Sequence, residues 1–591
     1  MSVSASMPRW NLDSLFPSLD GPETVRSFAF LDDCCSELES LLADAEAGKA
    51  TAVLSVERLL VQLNSALEET AALETYLYCL VTTDSRNEAA QAKLSVMEGK
   101  VNRLGKARTR FSAWVGKQDI DALVAASELA QAHEFALRKA KIEAEHQMSP
   151  AEEVLASDLL LSGGLPWAKL HGNITSQLKV TVNLPDGSRV MPMSAVRNLA
   201  YDADREIRRV AYESELSAWA SVEVPLAAAM NGVKGELNTL TSHRGWTSPL
   251  ALACHQAHID EPTLEAMMSA AQKAFPTIRR YLKAKAKMIG LQRLAWYDLF
   301  APLQGEGRSY PWPEAVDFIE NHFRGYSDRM ADYAVRNFKE AWIDVPAVEG
   351  KVDGAYCSAA RRDESRILLN YSPDFKWVST LAHELGHAYH NHCLYGRTEI
   401  QKETPMTLAE TASIFCETIV KRAVMSSGSA EERRVVLEAS LMGSTQVVVD
   451  ITSRFLFERG AFELRKEREV SATELSELMR TAQLGTYGDG VDSEFLHPYM
   501  WAAKPHYYSA GTAYYNFPYM FGLLFGLGLY RIYENEPDGF HARYDDLLAS
   551  TGLADAATLA DRFGIDIRDE AFWAGSLAVI EADVAEFERL A

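Results

Sequence analysis

Positive charge is scarce in this chain: Lys and Arg number 59 against 82 Asp and Glu, for a formal net charge of −23. A surface of that sign repels phosphate backbones and no basic run offsets it, which excludes nucleic acid as a partner. Long apolar runs are missing as well. The longest, Phe517 to Tyr530, is too short and too rich in glycine to span a bilayer, and no membrane partner is expected. Met1 to Pro8 lacks the charged and apolar regions of a secretory leader. Cysteine is sparse, with seven residues (Cys34, Cys35, Cys79, Cys254, Cys357, Cys393, Cys416) scattered and odd in number. That usage reads as free thiols in a reducing cytosol, so a cytoplasmic protein is expected. Oligomeric state is not legible.

What remains is an ordinary globular composition, 47% hydrophobic and 24% charged over 591 residues, enough for a large core and for three or four domains at about 150 residues each. From about Val25 to Glu134 the pattern is helical, with Ala66, Leu73, Leu77 and Leu80 on one face. Leu178, Val180, Val182 and Leu184 alternate with polar residues before Pro185-Asp186-Gly187-Ser188, which predicts a hairpin. Helical periodicity then runs to about Gly290, and again from Trp312 to Ala341. Gly354 to Cys357 and Ser365 to Tyr371 predict two short strands. At the C-terminal end, Trp573, Leu577, Ile580, Val584 and Phe587 form a helical stripe that should dock on the body.

The chemistry concentrates in His383-Glu384-Leu385-Gly386-His387. On a helix two histidines four apart share one face, so both imidazoles reach one ion, and the glutamate between them lies close enough to take a proton from a metal-activated water. Ser379 and Thr380 are candidate caps for that helix and Gly396 its stop; Gly386 in its interior predicts close packing. Five residues are a short pattern, and the surroundings must decide.

A third ligand has to come from downstream. Where an extended version of the motif would put a third histidine stands Cys393, so that reading fails. In Pro405 to Glu417, a helix is expected from near Thr407, with Glu410 and Glu417 seven apart on one face of a mostly apolar segment. Carboxylates in apolar surroundings need partners. A cation explains Glu410 and a ligand imidazole explains Glu417. Glu399 and Glu403 remain rival ligands in more polar surroundings. His390 reads as packing or support for a ligand, because a fourth protein ligand would close the position a catalytic zinc keeps open. Cys393, Cys416 and the pair His255 and His258 read as structural residues.

Gly485 to Gly490 predicts a mobile loop. Beyond it, His506, Tyr507, Tyr508, Tyr514, Tyr515 and Tyr519 offer donors for an oxyanion, and as a helix Tyr508, Thr512, Tyr515 and Tyr519 would line one face. A packing layer is the alternative.

His383 to His390, Ala409-Glu410-Thr411-Ala412-Ser413 and the stretch His506 to Tyr519 together resemble the oligoendopeptidase F branch of the thimet oligopeptidase family of zinc peptidases. The resemblance extends to Trp10 to Pro17 and Gly354 to Cys357, and so covers nearly the whole chain. It implies a mostly α-helical fold with small β elements, a zincin-like catalytic domain and a deep cleft between helical lobes. It also implies one Zn2+ per chain and endopeptidase action on oligopeptides rather than folded proteins. Five residues past His506 the thimet branch has tyrosine where this chain has Gly511, so the choice among Tyr508, Tyr515 and Tyr519 stays open. The expected division is 1–110 (helical), 111–195 (helical with the hairpin) and 196–591 (zinc peptidase). In this reading His383, His387 and Glu410 hold zinc, Glu384 is the general base, and His506 with the tyrosines stabilises the oxyanion. A zinc carboxypeptidase and a catalytically silent peptide-binding protein are the alternatives.

Overall fold

The computed structural model describes residues 7–303 and 308–591. The chain forms two compact units, each assembled from three stretches: Met1–Gln147, Arg308–Ser426 and Ile532–Phe563 in the first, Met148–Gly307, Ser427–Arg531 and Gly564–Ala591 in the second. Boundaries placed in chain order at residues 110 and 195 do not express this division, since the chain returns to each unit.

The first unit opens with three long helices, α1 (Pro22–Glu46), α2 (Ala52–Thr83) and α3 (Glu88–Val115). On α2 the buried residues Leu59, Leu63, Ala66, Thr70, Leu73 and Leu77 recur at alternating spacings of four and three, the stripe that lets one helix bury a single face. Gly48, at φ +66°, ends the turn after α1, and the Thr51 hydroxyl caps α2 by accepting from Leu54 N–H. The opening segment is anchored by its aromatics: Phe16 is buried 5.1 Å from the Tyr76 ring, and Trp10 lies 6.4 Å from Tyr356.

The two expected strands are present, as Tyr356–Ala359 and Ser365–Leu368, and a third, Ile343–Asp344, joins them. The order places Ser365–Leu368 in the middle, parallel to Ile343–Asp344 and antiparallel to Tyr356–Ala359, which is left as an edge. Two residues carry no alternation, so the third strand had no signal in the sequence. Asp344 is fully buried there and held by Lys351 at 2.6 Å and Arg9 at 2.6 Å.

The metal-motif helix runs Phe375–Cys393, starting earlier than Ser379. Asp374 is its cap, accepting from Trp377 N–H at 3.2 Å, while Thr380 sits inside the helix and donates to Lys376 O. The carboxylate at the true start competes better for the free N–H groups than hydroxyls one turn in. Gly396, at φ +94°, follows the helix end as expected. The stretch from Trp312 comes as two helices, Trp312–Tyr326 and Asp328–Lys339, because Ser327 breaks it and caps the second.

In the second unit the hairpin pairs Lys179–Leu184 with Gly187–Pro192 across a two-residue turn, with Val180 and Val182 buried. The helix Glu261–Met288 packs along Glu570–Leu590, whose stripe from Trp573 to Phe587 is buried as expected; the Tyr281 and Phe587 rings meet at 5.3 Å. A continuous helical run, Ala430–Glu467, is long and apolar enough by length and composition to cross a membrane, but 56% of its most apolar window is buried inside the protein, which suits a core helix. Residues 485–490 are not a loose loop. Helix Ala472–Tyr487 carries through Gly485, and Arg279 donates to the carbonyls of Gly485 and Thr486 before a short turn to Gly490.

Candidate active site

His383 and His387 project from one face of the helix Phe375–Cys393, their Nε2 atoms 3.1 Å apart. Glu410 reaches the same point: its Oε2 lies 3.3 Å from His383 Nε2 and 3.5 Å from His387 Nε2. Four donors about 2.0–2.1 Å from a tetrahedral zinc stand ~3.3 Å from one another, so these three atoms already mark one face of such a coordination shell. Among the described residues no other group of His, Cys, Asp and Glu meets the same condition, ligand atoms all within 4.8 Å of one another.

Local backbone brings Glu410 there. The expected helix from Thr407 is interrupted: Met406–Ala409 forms one turn, Glu410 leaves helical geometry at ψ 2°, and Thr411–Ser427 begins a new helix. That second helix presses directly on the first. A Cβ on Gly386 would lie 2.6 Å from Ala412 O and from Ser413 Cα, so only glycine fits at the crossing. The Ser413 hydroxyl donates to Glu410 Oε2 at 2.8 Å and fixes the carboxylate. His383 Nδ1 pairs with Glu417, which directs the other ring nitrogen into the site, as expected of a carboxylate behind a ligand imidazole. Glu410 and Glu417 are half-buried rather than enclosed, and Glu410 borders an open cavity.

Electrostatics match a cation site. Burial pushes the Glu384 carboxyl up to about 7, helped by the negative charges of Glu410 and Glu417 and opposed by His383. For His383 burial works downward, but the hydrogen bond and charge of Glu417, with Glu384 and Glu410, carry it up to about 9. Burial and the neighbouring His383 charge hold His387 well below the usual imidazole range. Three carboxylates around two imidazoles thus favour a positive charge at this point. The cavity above them is about 450 Å³ and is bordered by the edge strand through Tyr356 and Cys357.

The rival ligands are occupied elsewhere: Glu399 pairs with Lys402 at 2.6 Å and Glu403 with Arg108 at 2.6 Å. His390 is buried with Nε2 2.9 Å from the Thr551 hydroxyl, and burial lowers it to about 4. Cys393 and Cys416 are buried thiols. His255 packs its ring 5.1 Å from Trp246, in the second unit.

The aromatic segment also belongs to the second unit and is not a helix. A short turn, Pro505–Tyr508, gives way to irregular backbone with Gly511 at φ +83° and Tyr514 at φ +51°, and helix resumes only at Phe517. His506 and Tyr515 stack with ring centroids 4.7 Å apart, and the Tyr519 hydroxyl donates to that of Tyr515 at 3.2 Å. Tyr508 leaves this group. Its ring is buried against His171 at 3.8 Å and its hydroxyl lies inside the core, facing packed side chains and not open space. Three residues that border the metal cavity, Asn391, Lys402 and Thr404, escaped sequence reasoning, since none sits at a recognisable spacing from the motif.

Residues 198–579 match the sequence model of Peptidase family M3. The chain is 25% identical over 399 residues to Group B oligopeptidase PepB of Streptococcus agalactiae, covering 66% of this chain and 65% of that relative. It is 22% identical over 601 residues to oligopeptidase PepF of Bacillus subtilis, covering 98% of this chain and 87% of the relative. Among solved structures, a putative peptidase from Chlamydophila abortus superposes with a TM-score of 0.82 at 19% identity, over 99% of this chain and 98% of the other. Oligoendopeptidase-F from Enterococcus faecium gives 0.70 at 18%, over 95% and 99%. These two structures establish the fold.

Proposed function

Because the chain belongs to peptidase family M3, we propose that it is a zinc-dependent endopeptidase of short oligopeptides, with His383, His387 and Glu410 holding the ion and Glu384 as general base. The observation that carries the proposal is the triangle of donor atoms with Glu384 buried beside it on the same cavity.

A zinc ion held there supplies Lewis acidity and lowers the pKa of water toward neutrality. The Glu384 carboxylate accepts the proton given up by water as its oxygen attacks the peptide carbonyl, then returns a proton to the leaving amine. Burial raises the Glu384 carboxyl, which suits a group that takes up a proton and then hands it on. Paired with His383 Nδ1, Glu417 would hold the proton on that nitrogen and leave Nε2 for the ion. The open edge of the strand Tyr356–Ala359 supports pairing with an extended substrate backbone, which binds peptides with little regard to sequence. His506, Tyr515 and Tyr519 are assigned to the carbonyl oxygen as it gains charge, on the strength of the motif. Oligopeptides are the substrates. The seven free thiols support a cytoplasmic setting.

The test is a mass-spectrometric digest of mixed peptides blocked at both ends. Internal cleavage that stops on chelation and returns with zinc is expected. A carboxypeptidase would leave blocked peptides intact. Equal cleavage of a sequence free in solution and grafted into the loop of a stable protein would defeat the restriction to flexible peptides.

A further inference from the structure

The cavity that carries the metal cluster carries a second charged feature that the proposed chemistry does not use. Among the described residues that line it, Lys402 is the only Lys or Arg, on the same cavity as His383, Glu384, His387 and Glu410. Resting on the peptidase reading above, we propose that Lys402 makes part of this cavity a carboxylate subsite, so that peptides bearing a carboxylate within a residue or two of the scissile bond bind preferentially.

Three observations lead there. The Lys402 ammonium has three donors, and one is spent on Glu399, which does not line the cavity. The remaining donors belong to a side chain that is 27% exposed. An ion pair three residues apart in a short turn is weakly held, so a second carboxylate can share the ammonium at little cost.

The turn that presents Lys402 is also rigid. Ile400 N–H donates to Asn64 Oδ1 at 2.9 Å, the Gln401 amide donates to Ala132 O at 2.7 Å, and Gly552 sits so close that a Cβ there would lie 2.2 Å from Gln401 O. A charge held on a fixed support selects among ligands, where a free surface lysine does not. Finally, the chain's net charge of −23 and the cavity's own Glu384 and Glu410 disfavour acidic peptides generally. A cation inside the cavity reverses that bias at one position. The same chemistry would recognise an Asp or Glu side chain or a peptide's terminal carboxylate.

The experiment measures peptide dissociation constants on the zinc-loaded Glu384→Gln chain, where turnover does not interfere. Peptides carry Glu, Gln or Lys at each position flanking the scissile bond, with free or amidated C-termini. The expected result is about tenfold tighter binding of the carboxylate form at one position, the scale of a charge-assisted contact. Lys402→Gln should level that ratio and Lys402→Glu should turn it toward Lys over Gln, a reversal that a poorly folded chain cannot imitate. Survival of the preference on amidation identifies a side-chain carboxylate; its loss identifies the terminal one. Absence of any preference, or a preference unchanged in Lys402→Glu, overturns the proposal. Turnover of the same peptides by the unaltered chain is scored separately. Binding with the stated preference but no cleavage would sink the peptidase reading and leave the subsite standing.

Discussion

The metal corner of the first unit and the segment Lys504 to Tyr519 of the second are both dense in polar side chains, yet they are held by different means. Around the metal corner Glu417 stands behind the His383 imidazole, Ser413 holds the Glu410 carboxylate, and one helix is laid against another at Gly386. In the aromatic segment the backbone is irregular, and the hydroxyls of Tyr507 and Tyr508 and Nδ1 of His506 are buried without a hydrogen-bond partner among the described residues. The first arrangement holds its donor atoms in place through neighbouring side chains and a close helix crossing. The second is set by ring packing and irregular backbone, with His506 stacked on Tyr515 and Tyr508 on His171.

The hardest test of that contrast falls on the metal corner. Glu384→Gln is expected to keep the zinc and lose about two to four orders of magnitude in turnover, because an amide cannot accept the proton. Glu410→Ala is expected to lose the ion itself. One tightly bound zinc per chain by elemental analysis of Glu410→Ala would falsify the assignment of the third ligand.

Next come the aromatic donors. His506→Ala, and at least one of Tyr515→Phe and Tyr519→Phe, should lower kcat by about a hundredfold with KM little changed, since charge on the carbonyl oxygen develops only in the transition state. Normal turnover in both tyrosine variants, with zinc in place, would make this a packing layer and move the oxyanion donors elsewhere.

The same contrast explains what was legible. Spacings of three and four translate directly into faces of a helix, so α2, the C-terminal stripe and the pair His383 and His387 could be read from residue order alone. Glu410 was legible by chemistry, as a carboxylate among apolar neighbours, even though the helix break that positions it was not: one turn, Met406–Ala409, is too short to show a period. The cap is Asp374, a turn ahead of Ser379, because the helix extends beyond the motif toward its N-terminal end and a carboxylate there accepts the free N–H. Between Ser509 and Asn516 there is no period to read, and positive φ at Gly511 and Tyr514 redirects the chain, so a helical face that grouped Tyr508 with Tyr515 and Tyr519 does not exist. Composition into two units was hidden for another reason: nothing local marks a stretch such as Ile532–Phe563 as returning to the first unit.

A smaller effect is expected behind the ligands. Glu417→Gln preserves shape but weakens the acceptor for His383 Nδ1, and such changes typically cost about 10–100-fold in metal affinity or activity. Competition with a graded chelator reads the affinity directly. An unchanged zinc affinity would show that Glu417 borders the site without supporting it.

The smallest effect should come from Tyr508, and it separates the two halves of the aromatic segment. Its ring stacks on His171, whose Nε2 is 2.8 Å from Ala502 O, and both side chains are buried. Removing the hydroxyl in Tyr508→Phe keeps the ring and the stacking and deletes an oxygen that has no hydrogen-bond partner among the described residues. A buried polar group without a hydrogen bond contributes nothing favourable, so stability should change by less than about 1 kcal/mol, in either direction. Turnover should match the unaltered chain while Tyr515→Phe or Tyr519→Phe reduces it. A hundredfold loss in Tyr508→Phe, with the denaturant midpoint unmoved, would mean that the segment rearranges to present Tyr508 when substrate binds, and that the boundary drawn between packing and donating tyrosines lies in the wrong place.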